Sequence, residues 1–199
     1  MLKTSSTPKM KIGLFFGSFN PIHNGHLIIA NVMVESTDLD EVWFVVSPQN
    51  PFKKRSTLLH EFDRMDMVNQ AIFDNYKLRA SDVEFSMPKP SYTIDTLTYL
   101  DSKYQDKEFS LILGEDNLSH FHKWKNSDVL LDNYSLYIYP RPKVQPSALL
   151  SHPNIQLVEA PMIDISATFI RKCIQNGFSI KYLVHDAVER IISAKNFYR

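Results

Sequence analysis

The stretch KIGLFFGSFNPIHNGHLIIANVMV, residues 11–34, decides how this chain begins to fold. Its first part is apolar and predicts a buried strand over about 10–16, and its last part predicts a helix over 24–36. Between them lies a turn rich in Gly, Ser, Asn and Pro, residue types that favour turns. Strand, turn and helix in this order form the first half of a βαβ unit, and the turn contains two histidines three residues apart.

The rest of the chain repeats this alternation of apolar runs and helical patterns. Further strands are predicted at about 41–47, 76–85, 109–114, 135–140 and 155–160, and further helices at about 58–73, 92–104, 115–123, 166–176 and 184–195. The central strands are short and almost wholly apolar, as expected where helices cover both faces of a parallel sheet. The pattern predicts an α/β fold, a Rossmann-like, doubly wound and mainly parallel sheet with a small helical C-terminal subdomain.

The length of the chain fits one domain with a short appendage. Residues 1–9 read as a polar tail, residues 10–199 as one domain, and the part from about 165 onward as its helical C-terminal portion. One apolar stripe of the helix predicted at 58–73 is expected to face the core, and it consists of Leu58, Phe62, Met65, Val68 and Ile72.

Composition and charge argue against several classes of protein. The 199 residues are 44% apolar and 12% aromatic, enough for a core without disulfides or a structural metal. Lys plus Arg and Asp plus Glu each number 22, a balance that argues against general binding to nucleic acid or membrane surfaces. No apolar run approaches the roughly 18 residues of a membrane span. The single cysteine, Cys173, cannot form an internal disulfide, so we expect a reducing compartment and a cytoplasmic protein.

The turn at residues 17–26 has the residues of an anion site. Gly17 allows a tight turn where a Cβ would obstruct a ligand, and the start of a helix favours phosphate through its amides and dipole. His23 and His26 can face the same side and donate hydrogen bonds to phosphate oxygens. The alternatives are an ordinary Gly/Pro turn with incidental histidines, or a zinc site, for which no third ligand has suitable local spacing.

A second stretch, ISATFIR at 165–171, repeats this chemistry far along the chain. Ser166 is a good N-cap, which leaves the first amides of the helix, including that of Thr168, available to an anion. Arg171 lies close enough to the same helix end to share that anion. The alternative is an ordinary capped helix with a surface arginine. We expect the two helix starts to converge on a single triphosphate.

Loops after the strands supply further candidates, because ligands of open α/β sheets bind beyond the carboxyl ends of the strands. The loops at 47–56, 86–91 and 140–147 are therefore expected to form walls of the site. Lys53 is a candidate phosphate contact, although cations in such a loop are usually only solvated, and Asp116 can hold ribose hydroxyls or simply favour a helix start. Tyr92, Thr93 and Trp124 are further candidates, and Trp124 can be either a core anchor or a stacking platform for a flat ring.

These motifs resemble a known family. GSFNPIHNGHL and ISATFIR are similar to the signatures of the HxGH nucleotidylyltransferase superfamily, and SYTIDTL (91–97) with the downstream Trp124 resembles its bacterial nicotinate-nucleotide adenylyltransferases. Blocks PFKK, DRM, LGEDNL, FHKW and KYLVHDAV follow in the family order, so the resemblance covers about 10–195. This chain departs from the common family pattern at five positions, namely Phe16, Ser18, Asn20, Phe52 and Ala167.

The resemblance implies transfer of AMP from ATP, bound with Mg²⁺, to nicotinate mononucleotide, giving deamido-NAD and pyrophosphate. It implies catalytic roles for His23, His26, Lys53 and Arg171, with His26 stabilising charge at the α-phosphate. The ATP-binding residues it implies are Gly17, Ser18, Phe19, Asp116, Ser166 and Thr168. The residues it implies for the mononucleotide are Tyr92, Thr93 and Trp124. No resident metal site of the protein is expected.

Three other functions are compatible with parts of the sequence. Pantetheine-phosphate adenylyltransferases share the phosphate motifs but have no need of SYTIDTL and Trp124. Cytidylyltransferases differ in the pocket that binds the nucleotide base, and no motif of this sequence identifies that pocket. A non-catalytic nucleotide-binding regulator could lose His23, His26 and Arg171 without losing its ligand, yet this chain has all three. No motif distinguishes nicotinate from nicotinamide mononucleotide, or sets the oligomeric state.

Overall fold

The computed structural model describes residues 8–48 and 58–199. Its six strands form one sheet in the order β3-β2-β1-β4-β5-β6, and every neighbouring pair is parallel. The predicted fold class is therefore confirmed. The strands are β1 (Met10–Gly17), β2 (Glu41–Val46), β3 (Leu78–Ser81), β4 (Lys107–Gly114), β5 (Leu136–Tyr139) and β6 (Ile155–Leu157).

Within the two described ranges, seven α-helices connect and flank the strands. They are α1 (Asn24–Ser36), α2 (Glu61–Ile72), α3 (Thr93–Lys103), α4 (Glu115–Leu118), α5 (Ser127–Asn133), α6 (Ala167–Gln175) and α7 (Asp186–Ala194). The helix predicted at 115–123 is shorter than expected, because α4 stops at Leu118 and a separate 3₁₀ turn follows at Phe121–Lys123. Helix α5 was not predicted, since Leu130 is its one buried residue and gives no periodic signal.

Both faces of the sheet are buried, which explains why the strands are apolar throughout. In β2, Phe44 packs into one apolar cluster and Trp43 into the other, because successive side chains of a strand point to opposite faces. Helices α1, α2, α6 and α7 contribute to the first cluster, and α3, α4 and α5 contribute to the second. The two C-terminal helices thus share their core with the sheet.

The predicted apolar stripe of α2 is wrong at its N-terminal end. Phe62 is 64% exposed, and the residue of the first turn that points inward is Arg64, which has no exposed surface. The buried face continues through Val68 and Ile72, as predicted, together with Met67 and Ala71. Arg64 replaces an apolar residue on this face because its guanidinium finds backbone carbonyls to bond in the interior.

The strand order places a crevice at the carboxyl ends of β1 and β4. The chain passes from β1 to β2 on one side of β1, and β4 pairs with the other side of β1. The connections that follow β1 and β4 therefore lead in opposite directions along the sheet. The register sets Gly17 of β1 beside Val46 of β2, and the Ser47 N–H donates to the Gly17 carbonyl at 2.9 Å. The turn after β1 therefore opens at the edge where open α/β sheets bind their ligands.

Candidate active site

Two adjoining pockets occupy this edge of the sheet. We call the larger, with a volume of about 510 Å³, the histidine pocket, and the smaller, of about 220 Å³, the tryptophan pocket. The histidine pocket is lined by Gly17, Ser18, Phe19, His23, His26, Asp116, Ser166, Thr168 and Arg171, all of them predicted site residues. The tryptophan pocket is lined by Gly17 and by the three predicted ring contacts, Tyr92, Thr93 and Trp124.

A common wall joins the two pockets. Phe15, Phe16 and Gly17 from β1, Asn117 from α4 and Tyr139 from β5 line both of them. The wall lies at the crevice where the connections after β1 and β4 diverge. Because it borders both pockets, a ligand in one pocket can reach a ligand in the other. This arrangement suits two molecules that react with each other at the border.

The two histidines form a stacked pair at the start of α1. His23 is the N-cap residue, with extended backbone, and its ring lies on that of His26 with a centroid distance of 3.6 Å and an angle of 20°. The His23 N–H donates to Nδ1 of His26 at 3.3 Å. Since Nδ1 accepts in this bond, the neutral His26 ring carries its proton on Nε2, which is then a hydrogen-bond donor.

Burial determines the charge of His23, which the sequence did not indicate. His23 is only 5% exposed, and its burial, together with the positive charge of Arg141, lowers its pKa to about 4. Burial disfavours the charged form of an imidazole because the interior solvates charge poorly. His23 is therefore neutral near pH 7 and can interact with an anion only through hydrogen bonding.

The first amide of α1 does not point at the pocket, contrary to expectation. The Asn24 N–H donates to the Leu183 carbonyl at 2.9 Å, and the Asn24 side chain donates to the Tyr182 carbonyl at 2.8 Å. The segment before α7 thus holds this helix start in place. The turn can therefore bind a ligand through its histidine side chains but not through the first backbone amide of α1.

The start of α6 has the predicted capping arrangement. The Ser166 hydroxyl accepts a hydrogen bond from the Phe169 N–H at 3.2 Å, so the serine is the N-cap. The amides of Ala167 and Thr168 belong to the first turn of the helix, where no carbonyl of the same helix can reach them. Both residues line the histidine pocket, so this helix start faces the histidines.

Arg171 connects the two helix starts directly. Its Nη1 donates to the Asn20 carbonyl at 2.8 Å, across 151 residues of sequence, and its Nη2 donates to Thr168 Oγ1 at 3.2 Å. The guanidinium therefore spans from α6 to the turn that carries His23 and His26. The two motifs thus lie together at one pocket, and their convergence on a triphosphate stays a prediction.

The turn after β1 is held from below by a buried cation. The Arg64 guanidinium donates to the carbonyls of Ser18 and Ser47 through Nη1, and Nη2 donates to that of Pro48. Its Nε donates to the Leu59 carbonyl at 2.9 Å. Burial lowers the pKa of Arg64, but a guanidinium stays protonated in proteins, so a positive charge lies beneath the turn.

Gly17 is required here by a neighbouring ring and not by a strained backbone. A Cβ added at Gly17 would lie 2.6 Å from the ring of Phe19, well inside contact distance. Phe19 has only 2% of its surface exposed, and its ring packs against those of Phe44 and His26. A contact between Phe19 and a ligand is thus expected from its backbone, since its side chain belongs to the core.

Asn20 ties the turn to a third part of the chain. Its Oδ1 accepts hydrogen bonds from the Leu59 N–H at 3.2 Å and from the Tyr198 hydroxyl at 2.9 Å. Burial raises the pKa of Tyr198, which keeps the phenol protonated as a donor. The residues just before α2 and just after α7 therefore both contact the turn that carries the histidines.

The tryptophan pocket is built around the start of α3. Thr93 is the first residue of this helix, and the exposed N-cap residue Tyr92 has the Lys125 ammonium 4.9 Å from its ring centroid. Lys125 also pairs with Asp95 at 2.8 Å. The partly buried Trp124 packs against Phe121, with ring centroids 5.3 Å apart. A planar ring can therefore enter between aromatic side chains and a helix start.

Asp116 and Arg141 face each other across the opening of the histidine pocket. Arg141 Nε lies 3.6 Å from Asp116 Oδ1, and its guanidinium lies 5.2 Å from the centroid of the Tyr139 ring. Arg141 supplies a second cation to a pocket that Arg171 already lines. The predicted phosphate contact Lys53, like Phe52, lies outside the described residues.

Four residues of the site were missed by sequence reasoning. Arg141 lies in the loop 140–147 that was predicted as a wall, so its position after a strand was the available signal. Arg64 and Tyr198 contact the turn from distant segments, and no local pattern indicates this. Glu84 lines the tryptophan pocket from a 3₁₀ turn, Val83–Ser86, within a stretch that was assigned to a strand.

Comparison with known proteins agrees with this geometry. A family model described as cytidylyltransferase-like matches residues 14–173. A probable nicotinate-nucleotide adenylyltransferase of Cytophaga hutchinsonii is 62% identical, over 95% of this chain and 98% of the relative. Another, of Flavobacterium johnsoniae, is 52% identical, over 96% of this chain and 100% of the relative.

A solved structure shares the fold. The nicotinic acid mononucleotide adenylyltransferase of Plasmodium falciparum, complexed with NaAD, superposes with a TM-score of 0.81 over 94% of this chain and 97% of that one. Its sequence is 22% identical, so this match concerns the fold. The same protein complexed with APC also gives a TM-score of 0.81, at 21% identity, over 95% of this chain and 97% of that one.

The fold and the site together define a nucleotidyltransferase of the cytidylyltransferase-like class. Relatives that are 62% and 52% identical over nearly their whole length narrow the class further. The chain belongs to the nicotinate-nucleotide adenylyltransferase family, as its motifs indicated. Among the described residues, no helix is both long and apolar enough to cross a membrane.

Proposed function

We propose that ATP binds in the histidine pocket and nicotinate mononucleotide in the tryptophan pocket, and that AMP is transferred between them at the common wall. The observation that carries this proposal is the Arg171–Asn20 bridge, which brings two anion-binding motifs together beside a ring-binding pocket. The names of the relatives, and the NaAD and APC complexes of the Plasmodium protein, support the same pair of substrates.

The reaction needs positioning and charge neutralisation more than proton transfer. An oxygen of the mononucleotide phosphate attacks the α-phosphorus of ATP and forms a new P–O bond, while the bond from that phosphorus to the bridging oxygen breaks. Pyrophosphate leaves with the bonding electrons, and deamido-NAD remains. The nucleophile is already anionic at neutral pH, so no general base is required.

The roles of the histidine-pocket residues follow from their hydrogen-bonding capacity. We assign the Nε2–H of His26 to the α-phosphate, where negative charge must be stabilised in the transition state. Neutral His23 holds that ring in place through their stacking and contacts phosphate oxygens as a hydrogen-bond donor. Ser166, Thr168 and Arg171 hold the β- and γ-phosphates at the start of α6.

The remaining predicted residues are assigned by pocket. Gly17, Ser18 and Phe19 approach the phosphates and adenosine through their backbone, and Asp116 binds ribose hydroxyls once it releases Arg141 to the phosphates. Lys53 remains a proposed phosphate contact. Tyr92, Thr93 and Trp124 frame the pyridine ring of the mononucleotide.

The donor set fits a magnesium ion that arrives with ATP. Mg²⁺ prefers oxygen ligands and keeps several waters, so phosphate oxygens and one or two carboxylates suffice. Asp164 provides a carboxylate on the histidine pocket besides Asp116, which is assigned to ribose, and the described residues contain no group of three metal-ligating side chains. Bound in this way, the ion would neutralise phosphate charge and assist pyrophosphate as leaving group.

Two further proposals concern the chain as a whole. We propose that residues 10–199 work as one transferase unit, since α6 and α7 share a core with the sheet and α6 supplies part of the site. The unpaired Cys173, buried in that core, is compatible with a cytoplasmic location.

The decisive experiment measures pyrophosphate release with ATP and each candidate acceptor. Purified protein is mixed with Mg²⁺-ATP and, in separate reactions, nicotinate mononucleotide, nicotinamide mononucleotide or phosphopantetheine, and the products are identified by mass. We expect deamido-NAD and equimolar pyrophosphate, with the highest kcat/KM for nicotinate mononucleotide. A reaction with CTP in place of ATP tests the cytidylyltransferase alternative.

Each alternative outcome has a definite meaning. Turnover with phosphopantetheine alone would assign the chain to the other adenylyltransferase branch. A higher kcat/KM for nicotinamide mononucleotide would overturn the proposed acceptor, and tight ATP binding without turnover on any acceptor would indicate a nucleotide-binding regulator.

A further inference from the structure

We propose that Glu84 positions the floor of the tryptophan pocket as a hydrogen-bonding group and not as a charge, and that it thereby sets the affinity for the acceptor nucleotide. This inference rests on the proposed function of that pocket. Glu84 is distant in sequence from both phosphate motifs, and no role has been assigned to it so far.

The Glu84 carboxyl group joins the elements that form the pocket floor. It lies on the 3₁₀ turn between β3 and α3, is 2% exposed and lines the tryptophan pocket. Its Oε1 accepts a hydrogen bond from Thr96 Oγ1 at 2.9 Å, and Thr96 is itself completely buried in the first turns of α3. The carboxyl group therefore fixes α3 at the end where Thr93 meets the pocket.

The surroundings of Glu84 favour the uncharged acid. No Lys or Arg of the described residues forms an ion pair with it, and burial raises its pKa, against the opposing effect of the Ser47, Thr96 and Ser91 hydroxyls. Of the two lysines that line the pocket, Lys123 and Lys125, the second pairs with Asp95. A buried carboxylate without a cation is costly, whereas the neutral acid keeps its hydrogen bonds.

The second oxygen of Glu84 has a different environment from the first. Oε2 is buried and has no hydrogen-bond partner among the described residues. Buried polar atoms are nearly always paired, so this oxygen leaves hydrogen-bonding capacity unused in the pocket wall. The acceptor nucleotide carries a phosphate and a ring carboxylate, and a neutral acid can donate to such an anion, whereas a carboxylate would repel it.

Glu84→Gln and Glu84→Ala separate the two possible roles of this side chain. Glutamine keeps an acceptor for Thr96 and adds an uncharged donor of the same shape, whereas alanine removes both. For each variant we would measure kcat, the KM of nicotinate mononucleotide, the KM of ATP and the melting temperature. Glu108→Gln is the matched control, because Glu108 is exposed and lies in the first half of β4, away from the carboxyl-end pockets.

We expect Glu84→Gln to stay within about threefold of the unmodified protein in every parameter. Glu84→Ala is expected to raise the KM of nicotinate mononucleotide about tenfold, the usual scale for one buried hydrogen bond, with the KM of ATP changed less than about twofold. Thr96→Val tests the same floor if the alanine variant does not fold, and it should raise the same KM by a smaller factor.

The inference would be overturned in two ways. Equal impairment of Glu84→Gln and Glu84→Ala would show that the negative charge is needed. An equal rise in both KM values, or no change in either for Glu84→Ala, would show that Glu84 does not act on the acceptor pocket. If the unmodified protein does not use nicotinate mononucleotide at all, the proposed function fails first, and that result is visible before any variant is made.

Discussion

The two pockets are built in different ways, although they share a wall. The histidine pocket takes most of its polar groups from two continuous stretches, 17–26 and 164–171, each a turn that enters a helix. The tryptophan pocket is lined by short pieces of many elements, among them the ends of β1 and β4, the residue after β2, a 3₁₀ turn, the start of α3 and the segment 117–125. Binding of phosphate charge can be encoded locally by helix starts and cations, whereas a pocket for a flat ring is made by packing between distant elements.

The two pockets have separate sets of ionisable side chains. Arg171 and Arg141 line the histidine pocket, and Arg64 adds a buried positive charge beneath its turn. The tryptophan pocket has Lys123 and Lys125 in its lining and a buried Glu84 at its floor. Variants of the first pocket should therefore change catalysis and ATP binding, and variants of the second should change acceptor binding alone.

The largest effect is expected from His26→Ala. Removal of one donor to a transition-state oxyanion typically costs about 10²-fold or more in kcat, and we expect that loss here with the melting temperature little changed. Steady-state kinetics with both substrates saturating would measure it. His122→Ala is the control, since His122 is exposed and lines neither pocket. Unchanged turnover of His26→Ala would remove this ring from the mechanism.

The next effect is a loss of folding stability at low pH that originates at His23. Its pKa in the folded protein is about 4, below its ordinary value of 6.5, so protons bind the unfolded chain more readily. The resulting stabilisation is complete above pH 6.5 and is lost as the pH falls toward 4, amounting to about 3 kcal/mol in all.

Urea unfolding without nucleotide, at pH 7 and pH 4, would test this on the unmodified protein and on His23→Gln. The unmodified protein should lose about 3 kcal/mol more than the variant over this range, because the other titrating groups are common to both. Equal losses would show that His23 is solvated enough to titrate normally.

A third, smaller effect is expected from Trp124→Ala. Loss of a stacking surface for a flat ring costs about 1–3 kcal/mol, so the KM of nicotinate mononucleotide should rise roughly tenfold or more while the KM of ATP stays constant.

Arg171→Ala is the complementary variant, and it should raise the KM of ATP without raising that of the acceptor. If either variant changed both values equally, the division into two pockets would be wrong.

Much of the fold could be predicted because its signals are local. The turn after β1 and the helix from Asn24 follow from residue types that fix backbone conformation within a few positions, and the predicted helix 24–36 has the observed bounds. The seven-residue helix α5 has a single buried residue, Leu130, and follows Asn126 in a left-handed conformation. A helix so short and exposed leaves no periodic pattern.

The candidate site was predictable to the extent that it consists of motifs. His23, Ser166 and Arg171 lie in stretches whose residue types already indicate anion binding. Arg64 in an otherwise amphipathic helix looks like a surface residue, and its burial depends on carbonyls of distant segments, among them Ser18 and Ser47. Local sequence does not show which distant carbonyls will accept hydrogen bonds from a buried side chain.

The smallest effect, from Tyr198→Phe, tests whether such long-range contacts matter to the histidine pocket. The variant removes one hydroxyl that donates to Asn20 Oδ1 at 2.9 Å and leaves the ring in place. One such bond contributes about 1 kcal/mol, so we expect a comparable loss in the free energy of unfolding. Because the Asn20 carbonyl also accepts from Arg171, a looser Asn20 should raise the KM of ATP about two- to threefold and leave the KM of the acceptor unchanged.

Tyr76→Phe is the matched control for this variant, because Tyr76 is 89% exposed and should change neither quantity. A loss of stability with no change in the KM of ATP would mean that Tyr198 only anchors the segment after α7. A selective rise in that KM would instead extend the phosphate site to a residue 178 positions away from Asn20 in sequence. In that case even the pocket with the clearest sequence motifs would depend on packing that those motifs do not show.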